Sequence, residues 1–180
     1  MNTNIKKILN RKQTGFTLIE ILVVIGMIAL LAAVVIVAIN PARQFAQGRN
    51  TQRVSNVNAI LNAIGQNMAD NKGIFTCGAE VIDTNERTIC IGTVECTALA
   101  ATAKIDLACL TPTYISALPF DPNANATNGY KWTSETEYNT GYKVSKNSTG
   151  RITVTAPEAL NEDPLKTGTP PTAPAVSVTR

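Results

Sequence analysis

The 180-residue sequence contains no histidine. Histidine is the commonest general base in enzymes and the commonest metal ligand in proteins. Its absence excludes Ser-His-Asp and Cys-His catalytic sites and histidine-zinc centres. The sequence also shows no close pair of acidic residues that could replace them. We therefore expect no enzymatic activity, no cofactor and no metal site.

A surplus of positive charge is also nearly absent. The formal net charge is +3, and four of the sixteen cations lie in the first twelve residues: Lys6, Lys7, Arg11 and Lys12. Removal of residues 1–15 would leave a net charge of −1. DNA is then unsupported as a partner, because broad capture of nucleic acid needs an excess of Lys and Arg to neutralise phosphates.

Charged residues are missing altogether between Glu20 and Arg43. The intervening stretch, 21–42, would span roughly 33 Å as a helix, which matches a hydrocarbon core of about 30 Å. A cleaved secretory signal peptide is the alternative, but its apolar run is shorter and its cleavage site follows that run. The basic leader predicts a single-pass protein of the inner (cytoplasmic) membrane, with the leader in the cytoplasm and the head extracytoplasmic.

Residues 12–21 read KQTGFTLIEI and lead directly into the apolar run. This segment closely resembles the type IV prepilin signature, found in pilus subunits and in the pseudopilins of type II secretion. The resemblance implies that prepilin peptidase cuts between Gly15 and Phe16 on the cytoplasmic side and methylates the new amino group of Phe16. It also implies that the apolar helix is a membrane anchor first and a filament core later.

Glu20 is an unusual residue at the start of a membrane helix. A carboxylate near the bilayer centre costs on the order of 2.5–3.5 kcal/mol, and less near an interface, so it should have a partner. In the resembled family, Glu20 would meet the Phe16 amine of a neighbouring subunit and set the registry of assembly. Alternatively, Glu20 reaches water or pairs within its own chain, where Phe16 lies four residues away.

Five segments are expected: a prepilin leader (1–15), a transmembrane and filament-core helix (16–42), an amphipathic helix (43–71), a globular head (72–160) and a disordered tail rich in Pro and Thr (161–180). The resulting fold class is α+β and pilin-like, with a long N-terminal helix packed on a small antiparallel sheet. Pro41 is expected to kink or interrupt the helix.

The amphipathic segment carries apolar residues at alternating intervals of three and four, which predicts a helix that ends near Gly73. The stripe consists of Val54, Val57, Leu61, Ile64 and Met68, and the residues assigned to other faces are Arg53, Asn56, Asn58, Asn62, Gln66 and Asn67. We expect the stripe to pack on the head, because only about two heptads are available for a coiled coil.

The head is predicted to contain short strands near residues 88–91, 129–133, 141–145 and 151–155, with a hairpin turn at 146–150. Six of the aromatic residues fall between positions 114 and 142, where we expect them to form the core and strand faces. A stacking platform for sugars or nucleic acid is the alternative, although basic residues are not interleaved.

Asp121 lies in a segment, 114–122, that echoes one preceding the sheet of pseudopilins and related small pilins. The resemblance raises a calcium site near Asp121, whereas the local sequence also suits a turn that Asp121 begins. Asn125 and Asn147 match the acceptor pattern for N-linked glycosylation, a match that is frequent by chance.

Four cysteines, Cys77, Cys90, Cys96 and Cys109, are present without a C-x-x-C knuckle, which argues against zinc. An extracytoplasmic head favours two disulfides. Of the three possible pairings, we favour Cys77–Cys90 with Cys96–Cys109. Reduced, buried thiols are the alternative.

The sequence thus predicts a type IV pilus or type II secretion pseudopilus subunit that reaches the cell exterior by self-assembly. Its expected partners are other copies of itself, prepilin peptidase, membrane lipid before assembly and an inner-membrane assembly platform. The alternative is a single-pass, membrane-anchored binding or adhesion module that stays unassembled.

Overall fold

The computed structural model describes residues 15–92, 103–123, 132–162 and 176–180, with the side chains of 37–39 excepted. The elements are two α-helices, α1 (Leu18–Ile39) and α2 (Pro41–Asp70), and six strands: β1 (Arg87–Ile91), β2 (Lys104–Asp106), β3 (Trp132–Ser134), β4 (Glu137–Lys146), β5 (Ile152–Ala156) and β6 (Val176–Thr179). Short 3-10 helices occupy Ala108–Leu110 and Pro157–Asn161. The expected α+β, pilin-like fold class is confirmed.

The predicted interruption at Pro41 falls at Asn40, where φ is 47° and ψ is 76°. A residue that precedes proline is sterically disfavoured in the right-handed helical region, and asparagine tolerates the left-handed region better than most residues. Proline is well suited to the first position of a helix, because its missing N–H has no partner there anyway. These local preferences end α1 at Ile39 and start α2 at Pro41.

The C-terminus of α2 lies where the sequence predicted it. The helix ends at Asp70, Lys72 and Gly73 adopt positive φ values of 57° and 87°, and the Gly73 N–H donates to the carbonyl of Met68 at 2.7 Å. This hydrogen bond is typical of a helix C-terminus that is capped by residues in the left-handed conformation.

The six strands form one sheet in the order β2-β1-β4-β5-β6, with β3 paired to the beginning of β4. The sheet is antiparallel as expected except at β1 and β2, which run parallel. Because β3 pairs with β4 near Tyr138 and β5 pairs with it from Lys143 onward, β3 and β5 follow one another along the same edge of β4.

The predicted strands at 88–91, 141–145 and 151–155 are confirmed with end positions that differ by at most four residues, and the hairpin at 146–150 is also confirmed. Of the strand predicted at 129–133, only 132–133 lie among the described residues, within β3. The side chain of Asn147 organises the hairpin by accepting hydrogen bonds from the backbone N–H groups of Thr149 and Arg151.

The prediction of a disordered tail over 161–180 is wrong at its end. Val176–Thr179 form β6, which pairs with β5 in register Val154↔Val178, and Val176 is buried. Two valines at alternate positions give this short segment an apolar side to place against the sheet. Residues 163–175 lie outside the described residues.

One hydrophobic core joins α2 to the sheet. Val57, Ile60 and Ile64 of α2 are fully buried with Ile89 of β1 and Val154 of β5. In β5 burial alternates along the strand, since Ile152, Val154 and Ala156 are buried and the threonines between them are half-buried.

Candidate processing and assembly segment

The N-terminus of α1 is closed by a reciprocal capping box. Thr17 is the N-cap residue; its hydroxyl accepts the backbone N–H of Glu20 at 3.2 Å, and the Glu20 carboxylate accepts the backbone N–H of Thr17 at 3.4 Å. The S/T-x-x-E/Q spacing allows both bonds, which satisfy two N–H groups that a helix start would leave unpaired. The negative charge of Glu20 also lies in the first turn, where the helix dipole stabilises it.

The bond between Gly15 and Phe16 lies immediately before this cap. Residues 15–17 are non-helical and exposed, and the side chain of Phe16 is 80% exposed. A peptidase requires an accessible backbone outside regular structure, and this bond meets both conditions. The residues predicted for cleavage, Gly15 and Phe16, therefore lie in the extended segment just before α1, and the residue predicted for registry, Glu20, lies in its first turn.

Apart from Glu20, the described surface of α1 is apolar, and it is exposed on every side. Leu18, Leu30 and Ile36 are 83%, 69% and 63% exposed, and nothing in the span Leu18–Ile36 is buried. The span is long and apolar enough to cross a membrane by length and composition. A helix that is hydrophobic all round needs an apolar environment, either lipid or other helices.

Within a single chain, the carboxylate of Glu20 accepts a hydrogen bond from the Thr17 N–H. This contact differs from the in-chain pairing with Phe16 that the sequence left open. Cleavage after Gly15 would add a charged amine at Phe16, one residue before the cap. The segment can then present a cation at Phe16 and an anion at Glu20, four residues further on, beside an otherwise apolar surface. That arrangement is suited to reciprocal pairing between copies.

Comparison with protein-family models matches residues 10–39 to the prokaryotic N-terminal methylation motif. The chain carries the class III signal peptide of type IV pilins and pseudopilins. The match includes the Gly15–Phe16 bond, the capping box and all of α1. No curated protein and no solved structure matches the chain significantly. The class III signal peptide supports a type IV pilin or pseudopilin-type precursor and points to a structural subunit.

The head contains a buried ion-pair cluster that no pattern in the sequence indicated. Arg53 of α2 donates to both carboxylate oxygens of Asp121, from Nε at 2.7 Å and from Nη2 at 2.9 Å. Its Nη1 donates to Glu162 at 2.5 Å, and Arg49 donates from Nε to the same carboxylate at 2.9 Å. The side chains of Arg53 and Asp121 are fully buried, and that of Glu162 is 3% exposed.

The predicted buried face of α2 is wrong at three positions. Arg53 and Asn67, predicted on faces other than the apolar stripe, are buried, and Val54, predicted in the stripe, is 44% exposed. The buried face runs through Ala46, Asn50, Arg53, Val57, Ile60, Ile64 and Asn67. These positions keep intervals of three and four, but two asparagines and an arginine interrupt the apolar pattern. An arginine can be buried here because two carboxylates neutralise it. The sequence did contain the spacing of three and four residues that marks this buried face. The spacing is visible only if Asn50, Arg53 and Asn67 are counted with the apolar residues.

The cluster shifts the pKa values of its members in the directions that favour charge. Burial alone lowers the pKa of Arg53, but hydrogen bonds to Asp121 and Glu162 outweigh it and raise that pKa. The hydrogen bond from Arg49, followed by that from Arg53, holds the pKa of Glu162 below its usual value. Both acid and base therefore stay ionised in the folded head.

The same cluster bears on the calcium site considered near Asp121. The guanidinium of Arg53 occupies both oxygens of Asp121, and Oδ1 also accepts the N–H of Asn123 at 2.8 Å, the turn-forming bond that the local sequence suggested. A calcium ion needs six to eight oxygen ligands. Among the described residues no three His, Cys, Asp or Glu side chains are grouped to hold a metal.

The disulfide pairing favoured from sequence is wrong. Cys77 is bonded to Cys109, with a Cα–Cα distance of 5.5 Å, which joins the loop after α2 to the 3-10 helix Ala108–Leu110. Cys90 is also disulfide-bonded, and Cys96 lies outside the described residues. Similar loop lengths had suggested local pairs, but β1 places Cys90 in the sheet, and the chain between β2 and the 3-10 helix brings Cys109 to Cys77.

The aromatic residues predicted for the core divide into two groups. Tyr138 and Tyr142 are buried, and Tyr114 packs partly buried against the core. Phe120 and Trp132 remain about half exposed, at 47% and 54%. Tyr130 lies outside the described residues.

Proposed function

We propose that this chain is a structural subunit of a type IV pilus or of a type II secretion pseudopilus. One observation supports the proposal most strongly: the methylation-motif match at residues 10–39 coincides with a capped helix whose apolar surface is entirely exposed. A soluble monomer could not keep such a surface in water. The chain needs lipid before assembly and the equivalent helices of other copies afterwards.

Processing is the first step of the proposed function. Prepilin peptidase would cleave the exposed bond between Gly15 and Phe16 on the cytoplasmic side and methylate the Phe16 amine. The four cations of the leader would leave with it, and they favour a cytoplasmic location for the leader in the precursor. The Cys77–Cys109 disulfide supports an extracytoplasmic head, because disulfides persist mainly in oxidising compartments.

Assembly is the second step. An inner-membrane platform would extract the cleaved chain, and α1 would pack among the α1 helices of neighbouring copies. Glu20 would pair with the Phe16 amine of a neighbour, so that an unpaired carboxylate is not buried in the apolar filament core. Registry would follow from that pair, since the rest of the described α1 surface offers only apolar contacts.

Mass spectrometry of the mature chain, purified from the cells that make it, tests the proposal. We expect a chain that starts at Phe16 and carries one methyl group on its amine. Gly15→Val should leave the precursor intact. Gly26→Ala is the matched control, because a Cβ at Gly26 meets no atom within 4 Å and should not affect processing. A mature chain that begins at Met1 would instead support the unassembled membrane-anchored module.

A further inference from the structure

The head carries a groove of about 770 Å³ on the side where β3 meets the 111–120 loop. Its lining includes Phe120 and Trp132, and the buried Leu118 and Tyr138 form its floor. Trp132 and Tyr138 are direct partners in the β3–β4 pairing. Because facing residues on adjacent strands have neighbouring side chains, the indole lies beside the tyrosine ring.

The groove has two partly exposed aromatic rings that the fold does not cover. Trp132 is 54% exposed and Phe120 is 47% exposed, although both border a core that buries Tyr138 and Leu118 almost completely. Large aromatic side chains in such positions are enriched where proteins contact partners. Neither Phe120 nor Trp132 is among the described residues that form the hydrophobic core or pack against it.

Hydrogen bonds fix the backbone that holds the Phe120 ring. The Tyr138 hydroxyl donates to the carbonyl of Leu118 at 2.7 Å, and the side-chain amide of Asn56 donates to the carbonyl of Phe120 at 3.2 Å. The 118–120 segment is thereby tied both to β4 and to α2. A binding surface that is already ordered loses less entropy when a partner binds.

The negative charge in the groove indicates which kind of ligand it can bind. Glu135, in the two-residue turn between β3 and β4, is exposed and is the one charged residue in the described lining. Glu135 makes no ion pair within the described residues, so its carboxylate is available to a ligand. Aromatic ring faces are electron-rich and attract cations, tryptophan most strongly. The Glu135 carboxylate and the two aromatic rings therefore both favour a positively charged ligand.

We propose that this groove binds a lysine- or arginine-bearing segment of a partner protein, with the cationic group between Glu135 and the faces of Trp132 and Phe120. The cation would pair with the carboxylate, and its aliphatic stem would lie along the apolar floor. The contact is open to solvent, so the expected affinity is modest. The proposal concerns the head alone and does not depend on filament assembly.

Trp132 makes the test direct, because it is the only tryptophan in the chain. The full-length protein in a nonionic detergent is titrated with an end-blocked tetralysine peptide while Trp132 fluorescence is recorded. We expect a saturable change in intensity or wavelength. The same peptide with acetylated lysines has no positive charge and should bind at least several-fold more weakly.

Two variants assign the effect to the groove. Glu135→Gln should weaken tetralysine binding about three- to fivefold, as expected for one ion pair at an exposed site. Glu80→Gln makes the same charge change at a carboxylate outside the groove lining and should bind like the wild type. Glu135 is exposed on a turn, so an unchanged circular dichroism spectrum is expected for the folded variant.

Salt dependence in the unmodified protein gives an independent measurement. Raising the ionic strength from about 0.01 M to about 0.1 M shortens the screening length from ~30 to ~10 Å and should weaken binding. Equal binding of the acetylated peptide, tighter binding of a neutral oligosaccharide, or unchanged binding by Glu135→Gln would overturn the proposal. So would the absence of any Trp132 response to tetralysine at millimolar concentration.

Discussion

Arg53 and Asp121, 68 residues apart in sequence, form a bidentate ion pair in which both side chains are completely buried. The pair connects α2 to the loop that precedes β3. Glu162 adds the segment after the 3-10 helix Pro157–Asn161 to the same guanidinium. One arginine thus fixes three separate parts of the head by interactions that are protected from solvent.

Arg53→Met should destabilise the head severely. The substitution leaves the carboxylate of Asp121 buried without its cation, and breaking one side of a buried ion pair typically costs about 3–5 kcal/mol. Urea unfolding of the full-length protein in detergent, followed by Trp132 fluorescence, measures the change. Lys143→Met is the control, because it breaks the exposed Lys143–Glu86 pair, which should contribute no more than about 1 kcal/mol. If the two variants lost the same free energy of unfolding, burial of the Arg53–Asp121 pair would not explain its contribution to stability.

The stability of the head should fall in acid through Glu162. Its pKa is lowered in the folded state, first by the hydrogen bond from Arg49, so the folded state binds a proton less readily than the unfolded state does. A lowered folded-state pKa contributes stability above the unfolded value, which is 4.5, and this contribution is lost as pH falls through the folded value. Measured unfolding free energies should therefore decline as the pH falls below about 4.5.

Glu162→Gln isolates this contribution. The variant should be less stable at neutral pH, and its stability should decline less steeply in acid than that of the wild type. Asp83, whose pKa is also lowered, first by a backbone hydrogen bond from Asn85, remains in both proteins and accounts for part of the residual slope. Identical pH profiles for wild type and Glu162→Gln would show that the Arg49–Glu162–Arg53 contacts do not govern acid stability.

Loss of the Cys77–Cys109 disulfide should also destabilise the head. The bond closes a loop with a sequence separation of 32 residues, for which the loop-entropy relation gives about 4 kcal/mol. The double variant Cys77→Ser with Cys109→Ser should unfold at a correspondingly lower urea concentration. Proteolysis of the non-reduced protein should release a Cys77–Cys109 linked peptide pair, and recovery of a Cys77–Cys90 pair would refute the observed connection.

Local patterns in the sequence predicted the helices and most strands, because each depends on near neighbours. Local structure is determined by neighbouring residues at four places in the chain: the apolar run, the Asn40–Pro41 step, the Gly73 cap and the alternation in 152–156. The α+β fold follows from these elements once α2 has an apolar face to place on the sheet. The N-terminal motif was recognisable for the same reason, since Gly15, Phe16, Thr17 and Glu20 lie within six consecutive residues.

The interactions that were missed join residues far apart in sequence. Burial of Arg53 depends on carboxylates 68 and 109 positions away. No periodic pattern in the sequence indicates partners at such separations. The cysteine pairing failed likewise, because it depends on where the chain places Cys109 after β2. β6 was missed because its four residues form a strand only when the edge of β5 is available to pair with.

Glu20 has two proposed roles: it caps its own helix, and it pairs with the Phe16 amine of a neighbour. Substitutions at Glu20 and Thr17 should separate these roles. Glu20→Gln keeps a side-chain oxygen that can accept the Thr17 N–H, so the capping box survives while the charge is lost. Thr17→Val keeps the charge but removes the N-cap hydroxyl, at a cost of about 1 kcal/mol of helix stability. If registry depends on the carboxylate, Glu20→Gln and Glu20→Ala should leave membrane-held monomers, whereas Thr17→Val should still assemble.

Electron microscopy of sheared surface filaments, together with fractionation of the membrane pool, measures assembly in the three variants. Mass spectrometry of each mature N-terminus is the control, since a variant that is not cleaved after Gly15 cannot report on assembly. Normal filaments from Glu20→Gln, combined with none from Thr17→Val, would assign Glu20 to the cap of its own helix. Filaments from Thr17→Val and none from Glu20→Gln would require a charged partner, and the Phe16 amine of a neighbouring copy is the cation that cleavage supplies.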